Sequence, residues 1–138
     1  MKSLRNIVGV SVLLALSLVF QGCVTGIRAA NSGVTTESNF NEGNLTPMTT
    51  FAVSDVIRFY VSITWADVTQ DAGWQDIVWN WYKDGQLVGH RENLHAYFRG
   101  APNTRFATQP ASALGTGHFR VECLVDGKSI ASSEFDIK

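Results

Sequence analysis

His90, Glu92 and His95 are the side chains whose types and spacing come nearest to a metal-ligand set. On a strand, His90 and Glu92 share a face, but His95 falls on the opposite face unless a turn intervenes. Zinc needs a third or fourth ligand that the sequence does not indicate. A solvated polar strand edge therefore explains the group better, and a structural role is likewise favoured for His118, which stands alone at the start of an inferred strand.

A second group of candidate ligands consists of the carboxylates Asp67, Asp71 and Asp76, in an inferred loop around Gly73. Carboxylate oxygens bind calcium, but this spacing does not match an EF-hand loop. The serines are not set in a nucleophile elbow, and the Gly-Thr-Gly of residues 115–117 lacks the spacing and the following helix of a phosphate loop. We therefore expect no catalytic set, no metal and no cofactor.

The aromatic side chains remain as candidates for molecular recognition. Three tryptophans fall on inferred core faces, which favours a packing role: Trp65, Trp79 and Trp81. A fourth lies in a loop rich in Asp and Gly, and three tyrosines point away from the inferred core. Exposed Trp and Tyr can stack on a sugar or anchor a protein partner. The candidate binding residues are therefore Trp74, Tyr60, Tyr82 and Tyr97.

Composition excludes several classes of protein. The 138 residues are 45% hydrophobic and 17% charged, with a formal net charge of −1. A disordered polyelectrolyte does not have this composition. Nucleic acid is not an expected partner, because a near-neutral chain lacks the basic excess that releases counterions from phosphates. The length allows one domain at most.

The beginning of the chain has the pattern of a secretory signal peptide. Lys2 and Arg5 precede an almost uninterrupted apolar run from Ile7 to Phe20. This run is too short to span a bilayer comfortably, whereas its length and its basic flank suit a signal peptide. We therefore predict that residues 1–22 direct export.

The run ends in Gly22-Cys23, which resembles the lipobox of bacterial lipoproteins. The resemblance implies cleavage before Cys23, diacylation of its thiol and acylation of its amine. Several acyl chains form a lasting anchor, since each buried CH₂ contributes about 0.8 kcal/mol. An ordinary signal cut near Ala29 or Ala30, or an uncleaved anchor, is the alternative. Val24 stands where inner-membrane lipoproteins commonly carry Asp, which implies the outer membrane if the organism has two.

The rest of the chain divides by composition into a predicted tether and a predicted domain. Residues 23–50, which begin with the lipidated cysteine, are dominated by Thr, Asn, Gly and Ser and show no hydrophobic period. They are predicted to be flexible, with an r.m.s. reach of about 30 Å. Thirteen of the fifteen aromatic residues lie in residues 51–138. The sequence therefore places the domain boundary near Phe51.

Within residues 51–138 the hydrophobic period is two, which is typical of strands with one buried face. Asp84-Gly85 and Asp126-Gly127 are strong hairpin signals. Cys123 alternates with apolar residues and is expected to be buried and inert. Short strands at these spacings predict an all-β, antiparallel two-sheet sandwich. The inferred strands are Ile57–Trp65, Ile77–Tyr82, Leu87–Arg91, Leu94–Arg99, Arg105–Thr108, His118–Val125 and Ser129–Ile137.

Several motifs together resemble a bacterial immunoglobulin-like or fibronectin-III-like module. They are Trp81-Tyr82-Lys83-Asp84-Gly85, Gly117-His118-Phe119-Arg120-Val121-Glu122-Cys123, Asp126-Gly127-Lys128 and Phe135-x-Ile137. True immunoglobulin domains place a second cysteine on the strand opposite Cys123, and the strand Ile57–Trp65 has none. The two sheets are therefore expected to be held by packing alone.

Modules of this kind serve as accessory, assembly or adhesion elements of envelope proteins, and some bind carbohydrate. The resemblance thus implies a non-catalytic lipoprotein of the cell envelope, attached to the membrane by its lipid. Its domain is expected to bind an envelope protein, with a glycan as the alternative ligand. Fold analogy carries the expectation no further.

Overall fold

The computed structural model of the protein describes residues 25–138, so the predicted signal peptide and Cys23 lie outside the described residues. Among residues 25–138 no helix is long and apolar enough to cross a membrane. The elements are β1 Arg28–Thr36, α1 Glu37–Asn41, β2 Thr50–Phe51, β3 Val56–Thr64, β4 Gly73–Lys83, β5 Gln86–Phe98, β6 Asn103–Pro110, α2 Ala111–Leu114, β7 Gly117–Val125 and β8 Lys128–Ile137.

The strands form two sheets, as the alternation predicts. A three-stranded sheet has the order β1-β3-β6, and a five-stranded sheet has the order β2-β8-β7-β4-β5. Neighbouring strands are antiparallel except for β2 and β8, which run parallel with Thr50 opposite Asp136 and Phe51 opposite Ile137. The expectation of purely antiparallel sheets is therefore wrong for this one short pair.

Aromatic side chains join the two sheets across the core. Phe59 of β3 meets Trp79 of β4 edge-on, with ring centroids 5.7 Å apart. Within the five-stranded sheet, Trp81 of β4 packs edge-on against Phe135 of β8 at 6.1 Å. Cys123, a residue of β7 in the five-stranded sheet, carries a buried free thiol. Burial raises the pKa of this thiol to about 12. The sheets are thus joined by packing, and the thiol has the inert environment that the sequence predicts.

Both predicted hairpins are present. Asp84 and Gly85 have φ of 48° and 82°, and Asp126 and Gly127 have φ of 49° and 81°. Two consecutive residues with positive φ are the requirement of a type I′ turn, which Asp-Gly meets at low cost. These turns set the register of β4 with β5 and of β7 with β8.

The predicted flexible tether of residues 23–50 is wrong over most of its described length. β1 pairs with β3 from Arg28 opposite Thr64 to Thr36 opposite Ile57. Thr36 then caps α1, where its hydroxyl accepts a hydrogen bond from the Asn39 backbone N–H at 3.1 Å. The folded unit therefore includes β1 and α1 and begins well before Phe51.

Period-two analysis missed β1 because Gly33, Val34 and Thr35 are buried in succession. One side of this stretch faces the core, and residues near Pro47 cover its other side. Because both sides are buried, the apolar alternation is lost. Gly33 is required by this close approach, since a Cβ there would lie 2.8 Å from the Tyr60 hydroxyl and 2.9 Å from Pro47.

The covering segment, which we define as α1 with residues 42–49, lies on the outer face of the three-stranded sheet. Phe40 packs 6.1 Å from the Tyr60 ring, and the Tyr60 hydroxyl donates to the Leu45 carbonyl. The Arg58 guanidinium lies 4.9 Å from Phe40 and 4.1 Å from Phe106. Tyr60 is 0% exposed, and burial raises its pKa. Its prediction as an exposed binding residue is therefore wrong.

Two strand boundaries also differ from expectation. The predicted strands Leu87–Arg91 and Leu94–Arg99 form the single strand β5, whose irregular pairing with β4 near His95 accommodates one extra residue of β5. Trp74 lies within β4 rather than in a loop, because it pairs directly with Tyr97. Hydrogen bonding to a neighbouring strand extends β4 into a stretch whose own composition favours a turn.

The Val34→Asp substitution tests whether β1 belongs to the folded unit. We expect it to lower the free energy of unfolding by more than about 3 kcal/mol, because it buries a charge without a partner. Asn31→Asp is the control, since Asn31 is exposed on the same strand and its change is expected to stay within about 0.5 kcal/mol. Urea unfolding measures both, and equal small effects would restore the flexible tether.

Candidate binding surface

The open face, defined as the outer face of the five-stranded sheet, carries three of the four predicted binding residues. Val78, Asn80 and Tyr82 point outward from β4, between inward residues that form the core. Trp74 lies on the same face near the start of β4, and Tyr97 stands beside it on β5. The structure therefore brings together Trp74 and Tyr97, places Tyr82 farther along the strand, and removes Tyr60 to the opposite sheet.

Tyr82 is held by a charged network. Its hydroxyl donates to the Glu122 carboxylate at 2.8 Å, and the Arg120 guanidinium lies 4.3 Å from its ring. Asn80 donates to the same carboxylate at 3.4 Å. Burial acts to raise the pKa of Glu122, but these hydrogen bonds and Arg120 outweigh it and lower the pKa. The hydrogen bond to Glu122 raises the pKa of Tyr82, so the pair stays a tyrosine and a carboxylate at neutral pH.

A polar row continues from this network towards the sheet edge. Asn80 Oδ1 lies 2.6 Å from His90 Nδ1, and His90 Nε2 lies 3.1 Å from Glu92. His95 points elsewhere, and its backbone N–H donates to Asp76 at 2.9 Å. Within residues 25–138 no three His, Cys, Asp or Glu side chains are grouped to hold a metal ion. The row is an ordered polar surface.

Two of the three candidate calcium ligands, Asp67 and Asp71, lie in the β3–β4 loop, whereas Asp76 lies in β4. Asp71 accepts hydrogen bonds from the Tyr97 hydroxyl and from the Gly100 backbone N–H, each at 3.1 Å. Asp67 accepts from the Thr69 backbone N–H at 3.1 Å. These bonds stabilise the β3–β4 loop and connect it to the end of β5 and the β5–β6 loop. The two carboxylates are therefore held separately and do not converge on a shared cation position.

Trp74 and Tyr97 form an aromatic pair with ring centroids 5.0 Å apart and planes at 74°. Trp74 is 67% exposed, the highest value among the large apolar residues of the described chain. The structure therefore places Trp74 at the surface, as a contact residue must be, and its binding role stays a prediction. Tyr97 is half-buried, with the Arg99 guanidinium 5.7 Å from its ring.

Sequence reasoning missed a groove of about 380 Å³ between the free edges of β5 and β6. Arg91 and Arg105 line it beside the edge of Trp79. Arg105 is already committed, because it donates to Asn103 at 2.8 Å and to the Tyr97 carbonyl at 2.9 Å. Inward-pointing charges on an edge strand discourage another chain from pairing with that strand. This protection explains the two arginines, and no bound ligand is needed to account for them. No sequence pattern could locate the groove, since it joins strands from different sheets.

His118 lies on the surface of the five-stranded sheet, beside two acidic side chains of β8. Its Nδ1 lies 2.8 Å from Asp136, and Nε2 lies 3.7 Å from Glu134. The hydrogen bond to Asp136 raises the pKa of His118. When His118 is protonated, the arrangement is an exposed ion pair across β7 and β8.

Comparison with solved structures shows an immunoglobulin-like fold. An immunoglobulin-like protein from Pseudomonas aeruginosa aligns with a TM-score of 0.53 and 18% identity, covering 85% of this chain and 100% of that chain. A Pseudomonas fluorescens alkylpurine DNA glycosylase bound to DNA aligns with a TM-score of 0.53 and 16% identity, covering 90% of this chain and 33% of that chain. Such identities establish the fold and leave function to the site. No protein-family model and no curated protein matches the chain.

Trp74→Ala is expected to change the free energy of unfolding by no more than about 0.5 kcal/mol, because the indole is largely exposed. Trp81→Ala is the matched comparison, since Trp81 is 1% exposed and truncating a buried tryptophan costs about 3 to 5 kcal/mol. Denaturant unfolding measures both variants. A loss above about 2 kcal/mol for Trp74→Ala would show that the indole supports the end of the sandwich.

His118→Gln is expected to change how stability depends on pH. Because the folded pKa of His118 is raised, its contribution is complete below the unfolded pKa of about 6.5 and is lost as pH rises through the folded value. The melting temperature of the wild type should therefore exceed that of His118→Gln at pH 5.5, and the gap should close by pH 9. A gap that widens with pH would contradict the ion pair.

Proposed function

We propose that the protein is a non-catalytic lipoprotein of the cell envelope whose open face binds another envelope protein. The observation that carries this proposal is the contrast between the two outer faces. The covering segment occupies the face of the three-stranded sheet and buries Tyr60 there. The open face instead presents an ordered aromatic and charged surface centred on Tyr82.

The chemistry of this surface suits a protein partner. Tyr and Arg are enriched among residues that dominate binding energy, and Tyr82 and Arg120 are stacked in the free protein. Glu122 fixes the position of the Tyr82 hydroxyl, from which it accepts a 2.8 Å hydrogen bond. A side chain that is already held in place loses less conformational entropy on binding, so a given contact yields more affinity.

The non-catalytic assignment is supported by the state of the polar groups on the open face. Glu122 has a lowered pKa, so it is a poor proton donor at neutral pH. Both ring nitrogens of His90 are engaged in hydrogen bonds, one with Asn80 and the other with Glu92. A general acid and a nucleophile are not placed together by these contacts.

Attachment to the membrane is proposed through acylation of Cys23, with the outer membrane as the destination in an organism that has two. The chain that remains after cleavage before Cys23 carries nine basic and twelve acidic side chains. Attraction to anionic lipids therefore does not hold this chain on a membrane, and the acyl chains must do so.

Cys23→Ser tests the anchor. Without the thiol, acylation cannot take place, so labelled palmitate should no longer be incorporated and the protein should leave the membrane fraction or accumulate as its precursor. The wild type is the positive control, and blots of whole cells confirm equal expression. Palmitate incorporation that persists in Cys23→Ser would refute the lipoprotein assignment.

Tyr82→Ala tests the partner surface. Crosslinking and mass spectrometry in native envelopes first identify the partner of the wild type. The substitution is then expected to weaken binding at least about tenfold, or about 1.4 kcal/mol. Tyr97→Ala is a matched control, because Tyr97 is also hydrogen-bonded to a carboxylate and contacted by an arginine. Equal losses in both variants with unchanged melting would show that the contact is not centred on Tyr82.

A glycan is the second candidate ligand, and the exposed indole of Trp74 is the observation that favours it. Binding to a glycan array that disappears in Trp74→Ala but persists in Tyr82→Ala would support this alternative. Binding to a protein partner that depends on Tyr82 would support the first.

A further inference from the structure

We infer that the end of the sandwich nearest Cys23 rests on the bilayer and that Trp74 inserts its indole among the lipid headgroups there. This inference rests on the lipid anchor proposed above and adds a second, direct contact with lipid. It follows from where the folded chain begins, from which residues share that end, and from their chemistry.

The folded chain begins almost at the proposed lipid. The Thr25 carbonyl accepts a hydrogen bond from the Ala66 backbone N–H at 3.1 Å. Ile27 packs against the core, and Gly26 lies so close to Ala66 that a Cβ would be 3.2 Å from it. Cys23 precedes Thr25 by two residues, which span at most about 7 Å. Acyl chains on Cys23 would therefore hold the domain against the bilayer, not about 30 Å away.

The amino-terminal end, defined as residues 25–28, 64–74, 97–103 and 126–128, brings both sheets to the same place. Arg28 pairs with Thr64 in one sheet, and Gly73 pairs with Phe98 in the other. Trp65 and Phe98 link the two sheets by stacking at 6.2 Å. Trp74 is the second residue of β4, so its Cα lies within about 4 Å of the first residue of that strand.

The chemistry of this end suits the interface between lipid and water. Trp74 is 67% exposed and Val68, in the adjoining loop, is 56% exposed. Indole rings prefer the headgroup level, where one side is apolar and the other is wet. Tyr97 supports the indole from β5, with its own hydroxyl committed to Asp71. The exposed indole of Trp74 is thus supported by Tyr97, which Asp71 in turn holds in place.

Charge at the amino-terminal end does not supply the attraction. Arg28, Arg99 and Lys128 lie there together with Asp67, Asp71 and Asp126. Three basic and three acidic side chains are balanced, so the contact depends on insertion of the indole. It should consequently survive high salt, unlike binding by a basic patch.

Tryptophan fluorescence tests this seating directly, because the chain contains four tryptophans and Trp65, Trp79 and Trp81 are buried to within 2%. Full-length protein is processed in cells, purified from the membrane fraction, checked by mass spectrometry for acyl chains on Cys23, and reconstituted into phosphatidylcholine vesicles. Phosphatidylcholine brominated near the glycerol end of its acyl chains is the quencher.

In the acylated protein on vesicles, brominated lipid is expected to quench the part of the tryptophan emission that comes from Trp74. Iodide dissolved in the water should quench that part less than it does in detergent solution. Trp74→Phe should remove most of the quenching by bromine, whereas the signal should persist in high salt. Unbrominated vesicles give the baseline for each protein, and melting curves confirm that Trp74→Phe remains folded.

Acylated protein without bromine quenching would overturn the seating and leave the lipid anchor standing. Absence of acyl chains on Cys23 would refute the anchor and the seating with it. Quenching that is unchanged in Trp74→Phe would also overturn the inference, since the contact would then involve a different part of the domain.

Discussion

The pairing of β1 with β3 is the interaction on which the other features depend. It completes the three-stranded sheet from Arg28 to Thr36 and delivers α1 and the following residues onto that sheet's outer face. Tyr60 and Arg58 become buried as a result, whereas Trp74 on the open face stays 67% exposed. The same pairing fixes the start of the fold next to Cys23, so it also determines how far the domain can stand from an acyl anchor.

Packing replaces the disulfide that joins the sheets in true immunoglobulin domains. Phe59 with Trp79 and Trp65 with Phe98 connect the sheets at two levels. Aromatic pairs of this kind contribute about 0.5 to 1.5 kcal/mol each beyond the area they bury. Cys123 lies within this packing with its pKa raised to about 12, so it remains a thiol and acts as a small apolar side chain.

Sequence reasoning located the strands whose burial is one-sided and failed where burial is two-sided. β4 and β7 bury every second residue, and their alternation was sufficient to predict both strands and the face of Trp81. In β3 the inner face was predicted correctly, yet Tyr60 is buried because a distant segment covers its outer face. β1 was missed for the same reason, since Gly33, Val34 and Thr35 are buried together. Coverage by a segment distant in sequence leaves no periodic signal.

At the candidate site, the sequence singled out Trp74 as a candidate contact residue but did not predict its neighbours. The Asp-Gly composition around it indicates a loop, whereas pairing with Tyr97 makes the segment a strand. The network around Tyr82 could not be predicted either. Glu122 and Arg120 come from β7, and they meet Tyr82 only because β4 and β7 are adjacent in the sheet. Strand order is a property of the whole fold, so it is absent from any local pattern.

The two contacts proposed for the open face are compatible because β4 separates them. Trp74 and Tyr82 lie eight residues apart on one strand, which corresponds to about 26 Å at the usual rise per residue. If the amino-terminal end rests on lipid, β4 leads away from the bilayer and Tyr82 stands well beyond the headgroups. A protein partner would then meet Tyr82 and Arg120 above the membrane while Trp74 stays in it. The lipid contact would restrict rotation of the domain about its anchor, and that restriction would present the open face to a partner in a limited range of orientations.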